Sequence, residues 1–170
     1  KKGLPPVRAV VMEYPQDEAA RNLDDEYFFG KDLLVCPLTL EDGTSREVYL
    51  PEGTWYNFFT GEKIEGGRRL VLEADWNEML VFVRDGALVP VAEPVICVTE
   101  DTVFNITVRS FGTNKTGSCV LYEDDFVSFN YESLAAKKQI NVTVGDNGKF
   151  IVSGAKTSTK YHFLNCIVKD

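Results

Sequence analysis

Hydrophobic positions near the start of the chain recur at helical spacing. Apolar side chains stand at the i, i+3, i+4 and i+7 intervals of one helix face, at Leu4, Val7, Val10, Val11 and Tyr14. Pro5-Pro6 suits a helix start, and Pro15 ends the helix because the residue before proline avoids the helical region. A second short helix is predicted from Asp17 to about Leu23. Residues 1–30 are therefore predicted to form a short helical stub, whose apolar stripe must rest on another part of the protein.

From about Lys31 onward the pattern is that of β-strands. Short apolar runs are separated by turn signals roughly every 8–12 residues, which is typical of a sandwich or barrel. The runs are Leu33–Cys36, Val48–Leu50, Trp55–Phe59, Leu70–Leu72, Met79–Val83, Phe104–Arg109, Ile140–Val144 and Tyr161–Val168. Asn147-Gly148 is a strong hairpin signal, and Pro90–Pro94 resembles a linker. The chain is thus predicted to be mainly β, with two small antiparallel β-sandwich domains behind the helical stub.

The charge of the chain restricts its partners. The 170 residues carry 18 basic and 26 acidic side chains, for a net charge of −8. A nucleic-acid-binding protein needs a basic surface to displace counterions from phosphate, so we expect no nucleic-acid partner. We expect no membrane partner either, because no apolar run approaches the ~18 residues of a membrane helix. Neutral ligands such as sugars remain compatible with this charge.

Carboxylates are the abundant reactive groups, and they form three clusters: Asp24/Asp25, Asp75/Glu78 and Glu123-Asp124-Asp125. A retaining glycosidase needs two carboxyl groups about 5–5.5 Å apart across a sugar-sized cleft. Adjacent residues of a strand point to opposite faces, so Asp124 and Asp125 do not provide that pair. We interpret the clusters as solvated turns, with calcium binding by the last as the alternative. No catalytic residue is assigned.

Histidine and cysteine offer little further chemistry. Cys36, Cys97, Cys119 and Cys166 lie far apart, each within an apolar run, and are predicted to be buried thiols. Their even number also permits disulfides. His162 is interpreted as a core or edge histidine, because no catalytic triad spacing accompanies it. No metal or cofactor site is predicted.

Aromatic side chains raise a second hypothesis. The run Trp55–Phe59 could form a platform for sugar rings, although strand alternation predicts that at least one of its two faces is buried. A free-standing carbohydrate-binding β-sandwich would use Trp55, Tyr56 or Tyr122. A purely structural module is the other alternative.

Several segments resemble glycoside hydrolase family 31, the α-glucosidases and α-xylosidases. They occur in the family's order and extend over nearly the whole chain. They are Gly3–Ala9, Met12–Asp17, Leu23–Gly30, Leu33–Pro37, Tyr49–Tyr56 with Thr60-Gly61, Val81–Gly86 with Pro90, and Leu121–Asp125 with Ser128 and Tyr131. Glu26 stands where the family usually has Gln, Leu80 where it usually has Pro, and Phe126 where it usually has Gly.

The resemblance implies a C-terminal fragment of a larger enzyme. Residues 1–30 would be the helical remnant at the end of a catalytic (β/α)8 barrel, residues 31–92 the proximal C-terminal β-sandwich and residues 93–170 the distal one. The family's catalytic aspartates belong to the barrel, upstream of Lys1, so the fragment alone is expected to be inactive. Its expected partners are that barrel and the carbohydrate substrate of the parent enzyme. The absence of an initiator Met before Lys1 also suggests that the chain is part of a longer protein.

Overall fold

The computed structural model describes residues 4–39, 44–74, 77–112, 118–123, 138–144, 150–153 and 158–169. Several features named above lie outside these residues: Asp75, Asp124, Asp125, Phe126, Ser128, Tyr131 and the Asn147-Gly148 turn. The chain divides into two compact units, the first extending to Asp85 and the second over Gly86–Lys169.

The first unit contains eight strands among the described residues, in two sheets. In chain order they are β1 (Val7–Ala9), β2 (Tyr27–Phe29), β3 (Leu33–Cys36), β4 (Ser45–Leu50), β5 (Thr54–Asn57), β6 (Lys63–Glu65), β7 (Arg68–Glu73) and β8 (Leu80–Arg84). One sheet has the order β1-β2-β3-β8-β5-β6, and the other pairs β4 with β7. Each pairing is antiparallel. The mainly β fold class predicted from the alternating runs is confirmed.

The helices predicted for the first 30 residues are not formed. Val7–Ala9 is a strand that pairs with β2, and only the 3-10 turns Val10–Met12 and Ala19–Asn22 are helical in character. Burial in β1 alternates with period two: Arg8 is buried, and Val7 is half exposed. The β-branched valines favour an extended chain once a partner strand is available. The helical spacing was misleading because this pairing joins residues about 20 positions apart.

The core of the first unit lies between its two sheets. Its largest fully buried side chains include Phe28, Trp55 and Phe82 from the six-stranded sheet, with Leu50 from the two-stranded one. The Trp55 indole donates a hydrogen bond to the Pro51 carbonyl, with an Nε1–O distance of 2.8 Å. This bond gives the indole N–H group a partner. Burial of the Trp55 ring contributes about 3 kcal/mol to the free energy of folding.

A close backbone approach beside Trp55 requires a glycine. A Cβ atom at Gly66 would lie 2.0 Å from the Pro51 carbonyl oxygen and 2.8 Å from the Trp55 Nε1 atom. The Gly66 amide also donates to the Gly53 carbonyl at 2.8 Å. The absence of a side chain therefore allows the β6–β7 connection to close over the core.

The second unit also has two sheets, built from the remaining six described strands. They are β9 (Leu88–Ala92), β10 (Phe104–Phe111), β11 (Ser118–Glu123), β12 (Lys138–Val144), β13 (Phe150–Ser153) and β14 (Tyr161–Lys169). The sheet orders are β14-β10-β9 and β11-β12-β13. Leu88, Ile106, Val108, Cys119 and Val142 form the shared core. β10 and β14 pair in parallel, which departs from the antiparallel pairing predicted throughout.

The stretch interpreted as a linker contains part of a strand. β9 includes Pro90 and pairs with β10, with Val108 opposite Pro90. Proline lacks an amide hydrogen, and β9 tolerates it because the strand lies at the edge of its sheet. The two compact units separate between residues 85 and 86, whereas the sequence predicted a boundary between residues 92 and 93.

Candidate functional site

One buried arginine, Arg8, and one partly buried arginine, Arg84, connect the first residues of the chain to the six-stranded sheet. Arg8 is 7% exposed; it forms an ion pair with Glu13 and donates to the Gly30 carbonyl at 2.9 Å. The Arg84 guanidinium carbon lies 4.6 Å from the centre of the Phe28 ring, within range of a cation–π interaction. Arg84 also approaches Glu13, with an Nη2–Oε2 distance of 3.8 Å. Glu13 is thus shared by two cations and has a structural role.

A second ionic cluster surrounds the buried carboxyl group of Glu26. Its Oε1 atom accepts a hydrogen bond from the Tyr49 amide at 2.7 Å and lies 3.7 Å from Nη2 of Arg46. Arg46 also pairs with Asp25, at an Nη2–Oδ2 distance of 2.7 Å. The Oε2 atom of Glu26 is buried and has no hydrogen-bond partner among the described residues. Burial of this oxygen disfavours the charged form of the carboxyl group.

Burial dominates the electrostatics of this cluster. Desolvation raises the pKa of Glu26 from 4.5 to about 7, against the opposing effects of the Tyr49 amide and the Arg46 charge. Burial also raises the pKa of the Cys36 thiol well above its ordinary value, and the neighbouring Glu26 carboxylate adds to that shift. The sequence showed that Glu26 replaces the usual Gln of the family, but not that the residue is buried.

An open cleft of about 950 Å³ lies beside these clusters in the first unit. Its polar lining includes Glu13, Gln16, Asp17, Tyr49 and Glu52. The Tyr49 hydroxyl donates to Asp17 at 2.6 Å, and burial together with this bond raises the pKa of Tyr49 to about 12. Glu13 and Asp17 are thus both engaged in contacts that hold the fold.

The aromatic residues considered for sugar binding differ in their exposure to solvent. Trp55 and Tyr56 are 1% and 2% exposed, because β5 lies between β6 and β8 and both of its faces are covered. Neither ring can stack on a sugar in solution. Tyr122, on β11, is 52% exposed, and Phe59, just after β5, is 55% exposed. Alternation along the strand did not identify Phe59, because this residue lies in a turn.

The single histidine and the four cysteines differ in their exposure to solvent. His162 is exposed on the edge strand β14, with Nδ1 3.3 Å from the Asn105 Oδ1 atom. The prediction of buried thiols is confirmed for Cys36 and Cys119, whereas Cys166 is only partly buried. It is wrong for Cys97, which is exposed within an apolar stretch where Ile96 is also exposed.

Neither a metal site nor a membrane span is found in the part of the chain that the structure describes. No group of three or more His, Cys, Asp or Glu side chains there could hold a metal ion. No helix among the same residues has the length and apolar character needed to cross a membrane. Asp124 and Asp125, the alternative calcium ligands, lie outside those residues.

Exposed apolar side chains are concentrated in the first two strands and the residues beside β1. Val7 and Phe29 are directly opposite each other in the β1–β2 ladder, and they are 50% and 52% exposed. Leu4 and Met12, which flank β1 along the chain, are 57% and 52% exposed. We call these four residues the N-terminal patch. Clustered exposed apolar side chains are typical of an interaction surface, whereas single ones are ordinary.

The fold is a β-rich region, and its ionic clusters take part in structural contacts. A family model described as the glycosyl hydrolase family 31 C-terminal domain matches residues 3–89. The chain therefore belongs to glycosyl hydrolase family 31 and contains its C-terminal domain.

Similar proteins include both hydrolases and a transferase. The chain is 33% identical over 159 residues to the 1,6-alpha-glucosyltransferase of Sporosarcina globispora, covering 90% of this chain and 12% of that protein. It is 33% identical over 153 residues to alpha-glucosidase 2 of Bacillus thermoamyloliquefaciens, covering 89% and 19%. Among solved structures, the family 31 alpha-xylosidase of Xanthomonas citri superimposes with a TM-score of 0.79 at 30% identity, covering 97% and 18%. The chain thus spans less than a fifth of these proteins.

Proposed function

We propose that this chain is the non-catalytic C-terminal β region of a retaining α-glycosidase that hydrolyses α-linked glucosides or xylosides. Such an enzyme acts through two carboxyl groups and a glycosyl-enzyme intermediate. In this proposal both groups belong to a catalytic barrel, and the present chain supports that barrel. The match to the family's C-terminal domain supports this role, as do the structural contacts of Glu13, Asp17 and Asp25.

The N-terminal patch is the single observation that carries the supporting role. Four large apolar side chains in or beside β1 and β2 are half exposed, although contacts of Arg8 with Gly30 and of Arg84 with Phe28 hold this segment in place. A rigid apolar surface of this kind gains free energy when another domain covers it. In the proposal, that domain is the barrel, and the compact units separated at residues 85 and 86 are the proximal and distal C-terminal domains.

A pair of matched valine substitutions in the full-length enzyme tests this role. Val7→Asp places a charge in the N-terminal patch, and Val71→Asp places the same charge on β7, where Val71 is 72% exposed. Burying an unpaired carboxylate is costly, so we expect Val7→Asp to lower the thermal stability of the enzyme by about 2 kcal/mol or more, and Val71→Asp to change it little.

The isolated 170-residue chain provides the control. In this chain both valines face water, so the two substitutions should have equally small effects on its unfolding. Equal effects of the two variants in the full-length enzyme would contradict docking through the N-terminal patch. Hydrolysis of aryl α-glucosides or α-xylosides by the purified chain would contradict the proposal that it is non-catalytic.

The structure weakens the alternative of a free-standing module that binds sugar through Trp55, Tyr56 or Tyr122. Two of its three aromatic residues, Trp55 and Tyr56, are buried in the core of the first unit. The reading frame upstream of the Lys1 codon tests the alternative directly. A continuous frame encoding a barrel supports the enzyme, whereas a start codon immediately before Lys1 would indicate an independent β protein.

A further inference from the structure

A smaller cavity lies beside the turn that joins β5 and β6. Its volume is about 250 Å³, and it shares no lining residue with the larger cleft. It is lined by Asn57, Phe59, Thr60, Asn77, Glu78, Met79 and Leu80. Phe59 and Met79 are 55% and 50% exposed, so an aromatic ring and a thioether meet solvent next to amide and carboxylate groups.

Hydrogen bonds hold the turn that carries Phe59. The Asn57 Oδ1 atom accepts hydrogen bonds from the amides of Phe59 and Thr60 at 2.9 and 3.0 Å. The Gly61 amide donates to the Asn57 carbonyl at 2.9 Å, and the Phe58 amide donates to the Val81 carbonyl at 2.9 Å. This network ties the turn to the neighbouring strand β8. Phe59 is thus exposed on a backbone that is already ordered before any ligand arrives.

The ring of Phe59 is also oriented by its neighbour. Phe58 and Phe59 meet edge to face, with ring centres 5.1 Å apart and an interplanar angle of 85°. Fixing an aromatic ring in advance lowers the entropy lost on binding. Asn57 uses its oxygen within the turn, and its Nδ2 group donates no hydrogen bond among the described residues. Asn57 lines the cavity, so its side-chain amide places a hydrogen-bond donor in the wall.

We propose that this cavity is a carbohydrate-binding site that holds one ring of a neutral oligosaccharide against Phe59. The apolar C–H face of a pyranose packs on the electron-rich face of an aromatic ring. Sugar hydroxyls both donate and accept, which suits the Asn57 amide donor and the Glu78 carboxylate acceptor. A small number of polar groups around an apolar surface is typical of small-molecule sites.

The size of the cavity sets how much ligand it encloses. Pockets that enclose drug-sized ligands have about 300–1,000 Å³, so this cavity suits a single ring while the rest of the oligosaccharide stays in solvent. Choosing an α-glucan as the ligand rests on the proposed function. A weak second site would then raise the local concentration of a long substrate near the enzyme.

Titration of the 15N-labelled 170-residue chain with maltotriose and isomaltotriose, followed by NMR, tests the site. We expect saturable shifts for the Asn57 side-chain amide and for the backbone around Phe59 and Met79, with a dissociation constant of about 1 mM. Phe59→Ala should weaken binding about tenfold. Asn57→Asp keeps the oxygen that accepts the turn hydrogen bonds but removes the amide donor, so it should also weaken binding without unfolding the turn.

Two exposed aromatic residues serve as matched controls. Phe29→Ala and Tyr122→Ala remove rings that are each 52% exposed, and both variants should bind as the unchanged chain does. Absence of shifts with both sugars, or equal loss of binding in the Phe59 and Tyr122 variants, would overturn the proposal. Loss confined to Tyr122→Ala would also overturn it, because the sugar would then bind the second unit. None of these outcomes affects the test of barrel docking, which depends on Val7.

Discussion

The buried carboxyl group of Glu26 should make the stability of this protein depend on pH near neutrality. The residue is 4% exposed, and its Oε2 atom has no hydrogen-bond partner among the described residues. Because the pKa rises from 4.5 to about 7 on folding, the native state binds more protons than the unfolded state between these values. The stability contributed by the protonated group is fully present below pH 4.5 and is lost as the pH rises towards 7.

The expected size of this loss follows from the two pKa values. A difference from 4.5 to about 7 corresponds to about 3 kcal/mol, which we reduce to about 2 kcal/mol because relaxation of the surroundings lowers the cost of a buried charge. Glu26→Gln removes the titration and retains an oxygen that can accept the Tyr49 amide. The variant should therefore match the unchanged protein near pH 4.5 and exceed its stability by about 2 kcal/mol at pH 8.

Urea unfolding at several pH values between 4.5 and 8 measures this difference. Glu47→Gln is the matched control, because Glu47 lies on β4 beside Arg69 and its side chain is 54% exposed. We expect the control to follow the pH dependence of the unchanged protein. A stability difference between Glu26→Gln and the unchanged protein that stays constant from pH 4.5 to 8 would refute the reasoning, since it would show that Glu26 keeps an ordinary pKa in the native state.

Two further predictions concern packing and reactivity. Gly66→Ala should destabilise the first unit by about 3 kcal/mol in urea unfolding, because the new Cβ atom would lie 2.0 Å from the Pro51 carbonyl oxygen. Lys63→Ala, on the exposed neighbouring strand, should cost less than about 0.5 kcal/mol, and similar losses in both variants would contradict the role of Gly66. Cys97, which is exposed, should react with a thiol reagent in the native protein, whereas buried Cys36 should react only after unfolding. Mass spectrometry of the labelled peptides reports both rates, and equal labelling would contradict the assigned burial.

The environment of Glu26 could not be predicted from the sequence. The substitution of Glu for Gln is visible in the sequence, but its effect depends on Tyr49 and Arg46, which lie about 20 residues away in the chain. Burial of the carboxyl group results from the packing of separate strands. Phe59 is similar, because its exposure is decided by a turn whose hydrogen bonds reach the neighbouring strand β8.

The sequence alone determined the family and the mainly β class. Runs such as Leu33–Cys36 and Phe104–Arg109 lie in observed strands because alternation and turn residues are local properties of the chain. Tertiary structure decided the pairing. Val7–Ala9, predicted to be helical, is a strand paired with β2. Both faces of β5 are buried, and β14 lies parallel to β10. Each of these outcomes depends on contacts between distant residues, which supply the burial and hydrogen bonds that local periodicity cannot specify.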